Sequence, residues 1–209
     1  VKQHIDTSVA HMLSLRGDML PGELGWFGVW PRQTRFGREV GGLQIDELEY
    51  LLCRSVAFDC PVSLQTSFSE LAQHPLTPEL LRLFKAYETA RLGRRFSEAD
   101  KAPMREPGKE FILLQIRGGA PAFAAARPVP CGESRNTHAM VGAFEKGAVA
   151  TFWNEAGGAT VTLDVSPDIV RVADFDDQRV VVQKRADGKL VLPVAVRRLT
   201  LLCPTLDAA

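Results

Sequence analysis

In the first hundred residues the apolar positions keep helical time. Ile45, Leu48, Leu52 and Val56 form one stripe, with Asp46, Glu47, Glu49 and Arg54 off it, which predicts an amphipathic helix over residues 43–57. A second stripe of Leu80, Leu83, Phe84, Tyr87 and Arg91 is bounded by Thr77 as N-cap, Pro78 at the first helical position, Glu79 in the first turn and Gly93 as a left-handed cap. Between the helices, residues 60–66 read as a short strand behind Pro61, and Ser67 to Glu70 has the spacing of a capping box. Upstream, residues 22–30 (Gly-Glu-Leu-Gly-Trp-Phe-Gly-Val-Trp) read as another strand, preceded by a helical stretch around residues 9–15. Strands separated by crossover-length helical segments are the mark of parallel βα units.

Beyond residue 108 the helical period stops. Residues 100–108 form a polar, proline-bearing connector. After it come short β-rich runs at 110–116, 148–153, 160–165, 169–173, 179–183, 189–192 and 196–202, broken by Gly157-Gly158, Ser166-Pro167-Asp168, Asp176-Asp177 and Asp187-Gly188. Val161, Leu163 and Val165 alternate with Thr160, Thr162 and Asp164, as a half-buried antiparallel strand requires. The expected fold class is therefore α/β followed by all-β, with βα units over 1–99, a connector over 100–108, and an antiparallel sandwich or small barrel over 109–209.

Composition narrows the function classes. The 209 residues carry 25 Lys+Arg against 25 Asp+Glu, so the positive field that draws a protein to nucleic acid is missing and nucleic acid is not expected as a partner. No stretch approaches the roughly 18 apolar residues of a membrane-spanning helix, and no membrane partner is expected. Cys53, Cys60, Cys131 and Cys203 form no C-x-x-C pair, although Cys53 and Cys60 are close enough in sequence for a bridge to be conceivable. His4 and His11 can share a helix face without a third ligand nearby, His74 precedes Pro75 at a helix end, and His138 stands alone, so neither metal nor cofactor is expected. There is no G-x-S-x-G elbow and no phosphate-binding G-x-x-x-x-G-K-[ST] loop.

Residues 147–158 (Gly-Ala-Val-Ala-Thr-Phe-Trp-Asn-Glu-Ala-Gly-Gly) followed by Val161-Thr162-Leu163-Asp164, and the closing Asp187-Gly188-Lys189-Leu190-Val191-Leu192-Pro193 with Arg197-Arg198-Leu199-Thr200-Leu201, resemble the trailing β-sandwiches of retaining glycoside hydrolases. With the preceding βα units, the chain resembles the last strands of a (β/α)8 barrel plus the sandwich behind it. A whole barrel takes about 250 residues, so the resemblance implies the C-terminal part of a larger enzyme, partnered by its missing N-terminal part. The opening Val1-Lys2, without an initiator methionine, fits the same expectation.

Glycoside cleavage needs two carboxyl groups flanking the scissile bond. Glu23 is the catalytic candidate, since Gly22 and Gly25 permit close approach and Trp26 and Trp30 can stack on a sugar face. Gln65 is a candidate for hydrogen bonding to a substrate hydroxyl. Asp18 is a weaker candidate, Asp59 reads as a cap or turn residue, and Glu155 as a hairpin-loop residue. The competing interpretations are a non-catalytic carbohydrate-binding or interaction protein that uses Trp26, Trp30 or Trp153 as a platform, and a self-contained α+β domain.

Overall fold

The two helical stripes form long helices, and the stretch expected around residues 9–15 is the end of a third that starts at Lys2, in the first of two units, Val1–Phe111 and Ile112–Ala209, of a computed structural model that describes residues 1–15, 24–115, 120–131, 135–145, 147–195 and 197–203. Along the first unit run α1 (Lys2–Ser14), β1 (Trp26–Gly28), β2 (Gln33–Arg35), β3 (Arg38–Val40), α2 (Ile45–Phe58), β4 (Ser63–Gln65), α3 (Phe68–Gln73), α4 (Thr77–Leu92), α5 (Glu98–Lys101) and a 3-10 turn over Ala102–Arg105. Of the strands, β1 pairs parallel with β4, and β2 pairs antiparallel with β3. Asp18 and Glu23 lie outside the described residues.

The centre of this unit is α2. Gln44 and Glu47 form a reciprocal capping box at its start, and Asp59 closes it at φ 53°, the cap role expected for that residue. The charges off its apolar stripe are not all at the surface, contrary to the amphipathic expectation. Glu49 and Arg54 are both buried, because partners from other segments reach them. The Tyr87 hydroxyl donates to Glu49 Oε1 at 2.9 Å. The Arg54 guanidinium donates to the carbonyls of Met104 and Glu106, with Tyr50 Oη at 2.6 Å and Asp6 Oδ1 at 3.2 Å. Ile5, Val9 and Met12 of α1 and Leu80, Leu83, Tyr87 and Ala90 of α4 complete the core around it.

Some local expectations shift. Thr77 is the first helical residue of α4 behind Leu76, and its hydroxyl donates to Leu71 O at 2.7 Å instead of capping the helix. Gly93 stays right-handed at φ −75°, and Arg94 takes the left-handed position at φ 48°. The stretch 100–108 contains the end of α5, the 3-10 turn and the buried Met104, held by Arg54. Nor does a bridge join Cys53 to Cys60. Cys53 Sγ lies 3.5 Å from Tyr87 Oη, whereas Cys60 Sγ lies 3.8 Å from Met12 Sδ.

The second unit is antiparallel. Adding β5 (Glu110–Leu114), β6 (Ala122–Val129), β7 (Thr137–Phe144), β8 (Gly147–Asn154), β9 (Ala159–Leu163), β10 (Arg171–Asp174), β11 (Gln183–Lys184), β12 (Leu190–Val194) and β13 (Leu199–Cys203), the strands form a six-stranded sheet in the order β10-β13-β8-β7-β6-β5 and a three-stranded sheet in the order β11-β12-β9. One apolar cluster draws on both sheets: Ala139, Ala150, Phe152, Leu199 and Leu201 from the first, Leu190, Leu192 and Val194 from the second. Val161 and Leu163 pack against it and Thr160 and Thr162 face out, as the alternation of β9 predicts. The strands β6 and β7 were not anticipated. Half of β6 is alanine, a weak strand former, and at Gly142 of β7 the two backbones come so close that an added Cβ would sit 1.9 Å from Ala125 O. The run 179–183 yields only the bridge of Arg179 to Ala173 and the start of β11.

Candidate functional site

Side chains alternate along a strand, so the register of the parallel pair sorts its residues into two faces. Trp26 is opposite Ser63, Phe27 opposite Leu64, and Gly28 opposite Gln65. Phe27 belongs to the buried face, with Leu24 and Val29 in the same core. The other face carries Trp26, 70% exposed, together with Gly28, Ser63 and the exposed Gln65. Gly28 has a specific task here: a Cβ on it would meet the six-membered ring of Trp30 at 2.6 Å, so the absent side chain leaves room for that indole on the same face. The three described substrate-binding candidates, Trp26, Trp30 and Gln65, are thus carried by one two-stranded surface.

The C-terminal ends of β1 and β4 point the same way because the strands are parallel. Val29 N–H donates to Gln65 O at 3.2 Å and the Thr66 hydroxyl to Val29 O at 2.8 Å, extending the pairing past the strands. The loop leaving β1 makes the β2–β3 excursion and returns where Leu43 N–H donates to Trp30 O at 3.2 Å. His74 pins that return. Its Nδ1 accepts from Leu76 N–H at 3.2 Å, which leaves Nε2–H to donate to Leu43 O at 3.0 Å, and the ring is buried. Both ring nitrogens are engaged in holding the loop base, a role different from the helix-end contact that its sequence position suggested.

Several carboxyl groups of the chain have structural partners. Glu47 accepts from Gln44 N–H at 3.0 Å as a cap, and burial pushes its pKa above the ordinary carboxylate value against the pull of that hydrogen bond. Asp46 takes Lys2 Nζ at 2.6 Å, and Lys2 also reaches Glu110 at 2.7 Å. Asp59 Oδ1 pairs with Arg91 at 3.2 Å, at the N-terminal side of β4. Glu155 sits in the turn after β8, its N–H donating to Asn136 O at 3.0 Å, in line with a loop role. Among the described residues no group of three His, Cys, Asp or Glu can hold a metal ion, and no helix is long and apolar enough to cross a membrane.

Trp153 does not serve as a platform. It is 1% exposed, and its ring stacks on His138 at 5.4 Å between centroids, so neither face is open to a sugar. In the second unit a cavity of about 20 Å³ beside Leu113, Phe175, Asp177 and Thr200 has room for about one water. Two exposed aromatics escaped the sequence reading: Phe36, at the tip of the β2–β3 hairpin, and Phe68, at the start of α3. The signal for Phe36 was weak because the two-residue loop is Phe-Gly, not the Asn-Gly or Asp-Gly that marks a hairpin in sequence.

No protein-family model matches the chain, and no curated protein does. Solved structures similar to it include a family 39 glycoside hydrolase from Bacteroides cellulosilyticus WH2, with a TM-score of 0.35 and 12% identity over 96% of this chain and 37% of that one. A GH30 endoxylanase from Clostridium papyrosolvens C71 aligns at a TM-score of 0.32 and 8% identity, over 85% of this chain and 40% of that one. A putative alpha-N-acetylgalactosaminidase from Bacillus halodurans C-125 aligns at 0.32 and 8%, over 98% and 45%. The chain therefore spans less than half the length of each of these proteins, and likenesses with such TM-scores bear on neither activity nor substrate.

Proposed function

We propose that the chain forms the terminal βα units and trailing β-sandwich of a glycoside-hydrolase-like enzyme that cleaves glycosidic bonds with paired carboxylates. The observation that supports this is the open face of the β1–β4 pair, on which Trp26, Trp30 and Gln65 meet. A pyranose presents C–H faces that stack on indole and a rim of hydroxyls that bond to an amide, and this face supplies both kinds of group. Glu23 precedes Trp26 by three residues and is proposed as one of the two carboxyl groups. Both edges of the β1–β4 pair lack a further strand among the described residues, and such edges suit further βα units from the remainder of a longer enzyme. The two sheets around one core fit a sandwich with a mainly structural role.

The test is titration with malto-, xylo- and cello-oligosaccharides, read by tryptophan fluorescence. Binding that quenches emission, weakened at least tenfold in Trp26→Ala or Trp30→Ala and less in Gln65→Ala, is the expected result. Absence of quenching by every sugar overturns the carbohydrate reading. The 70% exposure of Trp26 also favours a second reading, a non-catalytic carbohydrate-binding protein. Glu23→Gln separates the two: it leaves sugar binding intact in both, but abolishes hydrolysis by the complete enzyme only in the first.

A further inference from the structure

Each loop leaving the C-terminal end of the parallel pair carries a phenylalanine that contributes nothing to the core. Phe36 and Gly37 form the two-residue loop between the paired Arg35 and Arg38, at φ 50° and 73°. Positive φ at both positions is the signature of a type I′ turn, which favours Asn, Asp or Gly at the first of them and disfavours a bulky side chain. Phe36 is nevertheless there, in the left-handed region and 103% exposed. Its hairpin has no apolar face to bury, since all three residues of β3 are exposed, and an isolated two-stranded hairpin is marginal in water. Its base is tied down by Leu43 and His74. On the loop after β4, Phe68 is 93% exposed at the start of α3, a six-residue helix with no buried residue, held by the Ser67–Glu70 capping box. Backbone strain and an exposed ring that bring the fold nothing are the properties of residues kept for a contact outside it.

We propose that Phe36 and Phe68 are substrate-contact residues that stack on pyranose rings of an oligosaccharide lying across the C-terminal end of the β1–β4 pair. The proposal rests on the carbohydrate reading of that face and extends it to both loops. A sugar fits this place because the rings are accompanied by hydrogen-bonding groups, Thr34 and Glu39 on the hairpin and Gln65 at the end of β4, all exposed. Stacking needs only the flat apolar ring, and the polar neighbours satisfy the hydroxyl rim.

The experiment compares the wild type, Phe36→Asn, Phe68→Ala and Trp30→Ala by affinity electrophoresis in soluble starch, xylan and carboxymethyl-cellulose, with melting temperatures and sedimentation measured in parallel. Phe36→Asn is expected to melt at or above the wild-type temperature, because Asn suits the left-handed position, while its affinity falls at least tenfold. Phe68→Ala is expected to fall at least threefold with melting unchanged. Retention of affinity within twofold in both variants, while Trp30→Ala loses it, overturns this inference and leaves the carbohydrate reading standing. A wild type retarded by none of the three polysaccharides overturns both. A lowered melting temperature in Phe36→Asn overturns the argument from strain, and a dimer that Phe36→Asn dissociates overturns the sugar in favour of a second copy.

Discussion

Replacement of Arg54 by Met keeps most of the side-chain volume and removes every hydrogen bond the guanidinium makes. Arg54 is 1% exposed and donates to Met104 O and Glu106 O, and it stands 3.2 Å from Asp6 Oδ1. Losing a charge-assisted bond to the carbonyl of the buried Met104 costs about 1.5–3 kcal/mol. The loss at Asp6 is smaller, because that carboxylate is 26% exposed and water takes part of the load. Glu106 is exposed, so its carbonyl can also turn to water. The expected cost is about 3 kcal/mol, the low end of what breaking a buried pair costs. At about 2.1 cal/mol/K per residue over the Val1–Phe111 unit, this lowers its melting temperature by about 13 °C. Differential scanning calorimetry reads the shift, and hydrogen exchange locates it, because the Gly108 amide that donates to Tyr50 Oη at 2.8 Å should lose protection first. Lys109→Met is the control. Its pair with Glu106, at 2.8 Å, has both side chains more than half exposed, so removing it should cost about 0.2–1 kcal/mol. A shift below about 4 °C for Arg54→Met, or one no larger than that of the control, would refute the claim that burial gives these contacts their value.

Four further outcomes follow from the geometry. Gly142→Ala places a Cβ 1.9 Å from Ala125 O, so it should destabilise the six-stranded sheet by at least about 1–3 kcal/mol, seen as a lower urea midpoint. For Lys2, burial works against the charge, but Asp46 and Glu110 outweigh it and its pKa lies above the ordinary 10.5; its contribution to stability is therefore complete below 10.5 and is lost as pH rises through the higher folded value. Lys2→Met should flatten that alkaline fall in melting temperature, and an unchanged slope would refute it. A thiol reagent should reach Cys131, which is partly exposed, before the buried Cys53, Cys60 and Cys203. The reaction should be slow at neutral pH, because burial pushes the Cys131 thiol pKa up.

What could be read from the chain is what depends on near neighbours. The change of grammar near residue 100, the long helices α2 and α4, the capping box at Ser67, the cap at Asp59 and the alternation of Val161 and Leu163 are set by propensity, side-chain spacing and local hydrogen bonds. Trp26, Trp30 and Gln65 could be picked out because indoles and an amide near strand ends have recognisable chemistry. Their meeting on one face could not, since it depends on the parallel register and on Gly28 leaving space for the Trp30 ring. The strand β6 was invisible for a related reason: half of its residues are alanine, with little strand preference, and pairing with β7 makes it a strand. The charges of α2 show the same division most sharply. Sequence alone set Glu49 and Arg54 off an apolar stripe, which in an isolated helix means a solvated side. Tertiary structure brought Tyr87, Asp6 and the carbonyls of Met104 and Glu106 to them from far along the chain. A charge can be buried only where such partners converge, and that convergence exists only once the chain has folded.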